Sequence, residues 1–405
     1  MIMQIGLDRL VSMTGLIRSL RAGRVGLLAH PASVDGNLEH VSRVLRRLGI
    51  VPRRIFGPEH GYGGEAQDMV GVEHATDTIS GAPIVSLYGQ SYEDLVPRRE
   101  QVEDLDWIIA DLSDVGSRYY TFVWTMVLMV RAAHAAGVGV VLLDRPNPIG
   151  GERLEGKVQQ PGYLSFVGLE PIPVRHGLTA GELVAEMASR DGIGIGPGEP
   201  LDVVALVGWE GRKGAECWER PFVMPSPNMP TADTAVVYPG GCLLEGTNLS
   251  EGRGTTRPFE ICGAPWLDGV RMAGALHALP LEGFVARPLT FQPTFHKYAG
   301  QICGGVQIHV TDRDRFRPMA TYVALVALAA YHAGGFFRFR TERYEFVEGI
   351  PAIDLLSGSA SLREGIEAGK EPMALIDEVC SVDESDELVH QRAMERVMQA
   401  EAKRK

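Results

Sequence analysis

Cysteine is scarce in this 405-residue chain, no long apolar run occurs, and positive charge is not in excess. Each absence excludes something. The five cysteines (Cys217, Cys242, Cys262, Cys303 and Cys380) are odd in number, widely spaced and never in a C-x-x-C pair. They indicate neither a disulfide framework nor a zinc ribbon, and none stands out as a nucleophile. A membrane-spanning helix needs about eighteen or more consecutive apolar residues, and the greasiest segment, near 319–331, is interrupted and reads as a buried helix. A formal net charge of -12 argues against nucleic acid or an anionic membrane as partner. The opening MIMQIGLDRLVSMTGL has no basic leader before an apolar run, so a cytoplasmic location is the expectation.

Cofactor signatures are missing too. The turn after the first strand is not glycine-rich, and GIGIGPG at 192–198 precedes a strand instead of opening a helix, so no dinucleotide is implied. There is no P-loop, no H-E-x-x-H and no G-x-S-x-G elbow. His30, His60, His176 and His296 are too far apart to suggest a metal site. Neither cofactor nor metal is expected.

What is present is an α/β pattern. The length suggests two domains, and 45% apolar with 22% charged residues is ordinary for a globular protein. Apolar runs at 24–29, 52–56, 83–88, 107–112, 138–143 and 201–208 alternate with helical spacing at 37–48, weakly at 92–100, and at 122–136 and 179–189. That alternation predicts a mainly parallel, Rossmann-like sheet covered on both faces, over residues 1–212. Residues 213–405 are expected to form a second, smaller α/β or α+β domain. Its strands fall near 303–310 and 336–347, its helices at 267–278, 317–333 and from about 384.

Ligands of open parallel sheets bind outside the carboxyl ends of the strands. Here those ends carry His30-Pro31, then Gly57-Pro58-Glu59-His60-Gly61, then Tyr88-Gly89-Gln90, then Asp114 with Arg118, Tyr119 and Tyr120, and finally Asp144-Arg145-Pro146-Asn147. Glu59 at a strand end suits a general acid, against the plain alternative of a turn cap. Arg118 could fork onto a carboxylate or hold Asp114, and the tyrosines could stack on a sugar or pack. Arg175 and His176 are candidates for a substrate pocket and precede Thr179 and Glu182, which match a capping box.

The densest polar stretch lies in 225–260. Glu245, Asn248, Glu251, Arg253, Thr255, Thr256, Arg257 and Glu260 fall within sixteen residues, interleaved with Gly246, Gly252 and Gly254, and Asn228 lies just upstream. It reads as a rigid, ligand-facing loop. Two carboxylates flanking a cleft are what glycosidic cleavage needs, and Glu245 and Glu251 both qualify as the partner of Glu59. A structural ion pair with Arg253 or Arg257 is the alternative for either.

The segments GPEHG (57–61), DVGSRYYT (114–121), DRPNPIGG (144–151), PIPVRHGLTAGE (171–182), PSPNMPT (225–231) and YPGGCLLEGTNLSEGRGTTRPFE (238–260) resemble one family in order and spacing, from about residue 20 to near 380. It is the family of exo-acting β-N-acetylmuramidases of peptidoglycan recycling (NamZ type), long a domain of unknown function. The resemblance implies an active site in the cleft between the two domains, with Glu59 and a glutamate of 245–251 as the essential acids. It also implies release of N-acetylmuramic acid from the non-reducing end of a muropeptide or other N-acetylmuramic-acid-containing saccharide. Members of the family often carry an export signal, which is not expected from the opening of this sequence, and His30-Pro31 stands where an Asn-containing turn is expected. A metal-assisted esterase or amidase, or a non-catalytic sugar-binding protein, are the other readings of the same scaffold.

Overall fold

The predicted strand runs do assemble into one parallel sheet. The computed structural model describes residues 3–64, 75–209 and 212–404. Six strands run parallel: β1 (Val25–Ala29), β2 (Arg54–Gly57), β4 (Pro83–Ser86), β5 (Trp107–Asp111), β6 (Gly139–Leu143) and β7 (Leu201–Val204). The two-residue β3 (Ala75–Thr76) closes one edge antiparallel. The order β3-β4-β2-β1-β5-β6-β7 counts outward both ways from β1, so the topological switch lies between β1 and β5.

Neighbouring residues on each strand enter different cores, which is why the runs are apolar throughout. Leu27, Ile109 and Val141 face a core with the helices α1 (Gly6–Leu10), α2 (Thr14–Ala22) and α3 (Val41–Arg47). Leu28, Ile108 and Leu142 face the opposite core, built on α5 (Phe122–Ala135) and α6 (Ala180–Arg190). That second core continues without a break into the C-terminal half.

There, β8 (Ile261–Ala264), β9 (Phe284–Phe291) and β10 (Cys303–Val310) form an antiparallel sheet in the order β8-β10-β9. Helix α8 (Gly269–His277) packs on it, and α9 (Pro318–His332), buried along most of its length, carries α7 (Ala232–Gly241) and the helix Pro372–Val379. The Rossmann-like domain followed by a smaller one agrees with the sequence pattern. Among the described residues no helix is long and apolar enough to cross a membrane.

Several local expectations need correction. The stretch read as a loop at 225–260 contains α7 and a 3-10 turn, Cys242–Gly246. Thr231 caps α7 by accepting from the Thr234 backbone N–H, a start signal that the surrounding prolines and glycines masked. Residues 336–347 form turns and isolated bridges instead of a strand. The helix expected at 92–100 is a 3-10 turn (Tyr92–Leu95) followed by the four-residue α4 (Arg99–Val102), interrupted near Pro97. Two glycines fix the geometry near the cleft. A Cβ at Gly240 would lie 2.1 Å from the Pro318 carbonyl, so glycine is what lets α7 approach α9. Gly252, at φ +77°, makes the turn between Glu251 and Arg253.

Candidate active site

The chain leaves β2 through a tight turn in which the Gly61 N–H donates to the Pro58 carbonyl, 2.9 Å. Glu59 and His60 are its central residues, and His60 has φ +68°. This geometry presents Glu59, only 5% exposed, to a recess between the domains. Thr121, just before α5, donates its hydroxyl to Glu59 Oε2 at 2.6 Å.

The second domain supplies the facing carboxylate. Glu245 stands near the end of the 3-10 turn after α7, and both of its oxygens are held. Arg253 Nη2 donates to Oε1 and the Tyr344 hydroxyl to Oε2, each at 2.8 Å. Burial and then the nearby Glu245 charge push the Tyr344 phenol well up, so its proton stays in place as a donor. The Arg253 guanidinium also lies over the Phe259 ring, 5.4 Å from its centroid. Tyr120, Tyr238 and Phe259 form an aromatic wall, with ring centroids 5.9 Å and 4.8 Å apart in edge contacts.

Glu251 sits behind this layer. It is fully buried, with ion pairs to His296 Nδ1 (3.0 Å), Lys297 Nζ (3.0 Å) and Arg253 Nε (3.3 Å). Burial alone would push its carboxyl up. Lys297, His296 and Arg253 outweigh burial and hold it well below the usual carboxylate range. Glu251 is therefore a fixed anion that orients Arg253, which in turn orients Glu245.

Of the residues singled out in the sequence, the recess gathers Glu59, His60, Tyr119, Tyr120, Asn228, Glu245 and Arg253. The structure places the others elsewhere, and the reason is usually a backbone carbonyl in need of a donor. Arg118 is completely buried and donates to the carbonyls of Lys157, Ile172 and Leu356 at 2.8, 2.9 and 2.6 Å. Arg175 donates to the Ile149 carbonyl at 2.6 Å and borders a separate groove with Arg153, Arg212 and Arg313. Asn147 ties Leu178 to Ile149, and Asn248 pairs with the backbone of Phe336 and Arg338. His30 receives the Ser113 N–H at 3.1 Å, and burial pushes its imidazole down to about 3. His176 and Asp114 bond each other at 3.1 Å, and Asp114 lines a different crevice, beside Arg145. Sequence reasoning missed Thr121, Ser226, Tyr238, Phe259, Tyr344 and Glu345 in the recess. The first four lie in or beside the quoted motifs; Tyr344 and Glu345 have no local signature. Among the described residues no group of three or more His, Cys, Asp or Glu side chains could hold a metal ion.

A Rossmann-like domain, a smaller antiparallel domain and acids from both lining one recess define the class: a two-domain α/β protein with a carboxylate-lined interdomain site. Family models described as exo-beta-N-acetylmuramidase NamZ match here, the N-terminal model at residues 25–233 and the C-terminal model at 236–385. The chain belongs to the exo-beta-N-acetylmuramidase NamZ family of glycoside hydrolases. It is 39% identical over 367 residues, 90% of this chain and 84% of the relative, to the peptidoglycan beta-N-acetylmuramidase NamZ of Bacillus subtilis. A crystal structure of a DUF1343 family protein from Bacteroides fragilis is similar with a TM-score of 0.83 at 28% identity, covering 96% of this chain and 98% of that one. A second DUF1343 protein of that organism shares the fold, with a TM-score of 0.73 at 24% identity and the same coverage.

Proposed function

We propose that this chain hydrolyses the β-glycosidic bond of a terminal N-acetylmuramic acid in peptidoglycan fragments, with Glu59 as general acid and Glu245 as the second carboxylate. The observation that carries the reading is the unlike setting of the two acids on one recess. Glu59 is buried at a strand-end turn with a hydroxyl donor from Thr121. Glu245 is paired with a guanidinium and a phenol, which fix its carboxylate in the recess lining. Two carboxyl groups kept in different environments divide the acid and base or nucleophile roles that glycosidic cleavage requires. Glu251 is the weaker claimant, because Lys297, Arg253 and His296 already surround it and it is fully buried.

The substrate's lactyl carboxylate needs a local cation in an overall acidic protein. Of Arg118, Arg175 and Arg253, only Arg253 lines the recess. Arg253 is the arginine assigned to that group, and the edge-packed aromatic wall gives the sugar ring an apolar face. The test compares release of chromophore from a β-N-acetylmuramide and from the matching β-N-acetylglucosaminide. Faster release from the muramide supports the reading, and equal or reversed rates sink it.

A further inference from the structure

Among the described residues, eight non-glycine positions have positive φ, and three of them, His60, Phe259 and Glu345, line the recess. Backbone strain of this kind concentrates where the surrounding structure over-determines it, commonly at functional sites. The Glu345 case is the least expected from sequence. Tyr344 and Val347 exchange backbone hydrogen bonds of 3.1 and 2.9 Å across a two-residue turn. Its central residues, Glu345 at φ +43° and Phe346 at φ +69°, adopt a conformation that strongly favours Asn-Gly. A glutamate followed by an aromatic is a poor choice for the turn itself.

The neighbours explain how the turn persists. On one side, the Tyr344 hydroxyl bonds Glu245 at 2.8 Å. On the other, Phe346 packs against Tyr88 and Phe166 of the first domain, with centroids 5.7 and 6.2 Å apart. Arg343 also crosses to the Gln90 carbonyl at 3.2 Å. With both flanks anchored, the turn holds Glu345, 5% exposed, in the recess lining beside the Tyr344–Glu245 pair. A carboxylate there offers acceptors to the O–H and N–H donors of a sugar, the groups a pyranose presents around its ring.

We propose that Glu345 is a third carboxylate of this site that touches the substrate and accepts hydrogen bonds from the sugar's O–H or N–H donors. The assignment rests on the saccharide-hydrolysing reading of the recess given above.

The test uses the full chain with Glu345→Asn and Glu345→Gln, measuring kcat and KM on the chromogenic muramide together with thermal melting. Asparagine tolerates the left-handed conformation, so Glu345→Asn should melt at or above the wild-type temperature. Both variants should nevertheless lose about ten- to a hundredfold in kcat/KM, the range expected for removing a charge-assisted hydrogen bond. The proposal is overturned if Glu345→Asn melts like wild type and keeps kcat/KM within about twofold, a size typical of an uninvolved surface change. If Glu345→Gln is destabilised, Glu345→Asn decides. Wild type that fails to cleave the muramide at all overturns the activity reading and this assignment with it. Active wild type with equally active variants overturns only this one.

Discussion

Replacing Glu251 by glutamine separates a fixed structural anion from a catalytic acid. The substitution keeps the shape and removes the charge that Lys297, His296 and Arg253 surround at 3.0, 3.0 and 3.3 Å. Removing one partner of a buried ion pair costs about 3–5 kcal/mol when the other is left uncompensated. Here the cations keep other partners: Lys297 donates to the carbonyls of Leu244 and Leu249 at 2.9 and 3.0 Å, and Arg253 keeps Glu245. The loss in unfolding free energy should therefore fall at about 2–3 kcal/mol, below the full penalty. The pH dependence has a definite sign. The folded-state carboxyl lies below its unfolded value of about 4.3, so its contribution is fully present above that pH and is lost as pH falls through the folded-state value. The stability gap between wild type and variant should thus be widest at neutral pH and narrow below about pH 4. Denaturant unfolding at several pH values measures it, and kcat/KM below the melting range measures activity. The refuting result is a Glu251→Gln protein as stable as wild type but inactive, which would make Glu251 the second catalytic carboxylate.

Three further outcomes follow from the same contacts. Arg253→Lys loses the fork that reaches both Glu245 and Glu251, so kcat/KM should fall about ten- to a hundredfold and the muramide-to-glucosaminide preference should narrow; an unchanged ratio removes Arg253 as the lactyl-binding group. Arg118→Lys strands carbonyls of Lys157, Ile172 and Leu356 and should cost about 2–4 kcal/mol in denaturant unfolding while leaving that preference unchanged. Asp144, at the end of β6, is pushed up to about 7 by burial and by Glu182, against bonds from Gly181, Thr179 and Arg145. Its raised value means its favourable contribution is complete below about pH 3.9 and lost as pH rises through 7. Asp144→Asn should therefore gain stability over wild type progressively between about pH 4 and 7, by up to about 4 kcal/mol, and thermal melts across that range check the slope.

The parallel sheet was legible because strands covered on both faces must be apolar at consecutive positions, as Leu27 and Leu28 show by entering opposite cores. Glu59 was legible because a polar turn at a strand's carboxyl end stands out against such runs. Function-like polar residues were harder to sort. Arg118, Asn147, Arg175 and Asn248 look like ligand groups in sequence, yet each satisfies backbone groups of irregular loops that have no ladder partner. A polar residue beside glycine and proline gives the same local pattern in both roles. Tyr344 and Glu345 were invisible for a different reason. Tyr344 reaches Glu245 across 99 positions of chain, and the turn that presents Glu345 violates local preference. Tertiary anchoring through Phe346, Tyr344 and Arg343 maintains it.

If Glu59 and Glu245 together cleave the bond to N-acetylmuramic acid, removing either carboxylate must stop release from a natural substrate. Wild type, Glu59→Gln and Glu245→Gln are assayed for release of N-acetylmuramic acid from the non-reducing end of an unactivated wall disaccharide, alongside their melting temperatures. Wild type should release it, and both variants should lose on the order of 10²–10⁴ in rate, the range for a missing proton-transfer group, at a temperature where both remain folded. Near-wild-type release by either variant would contradict the assignment.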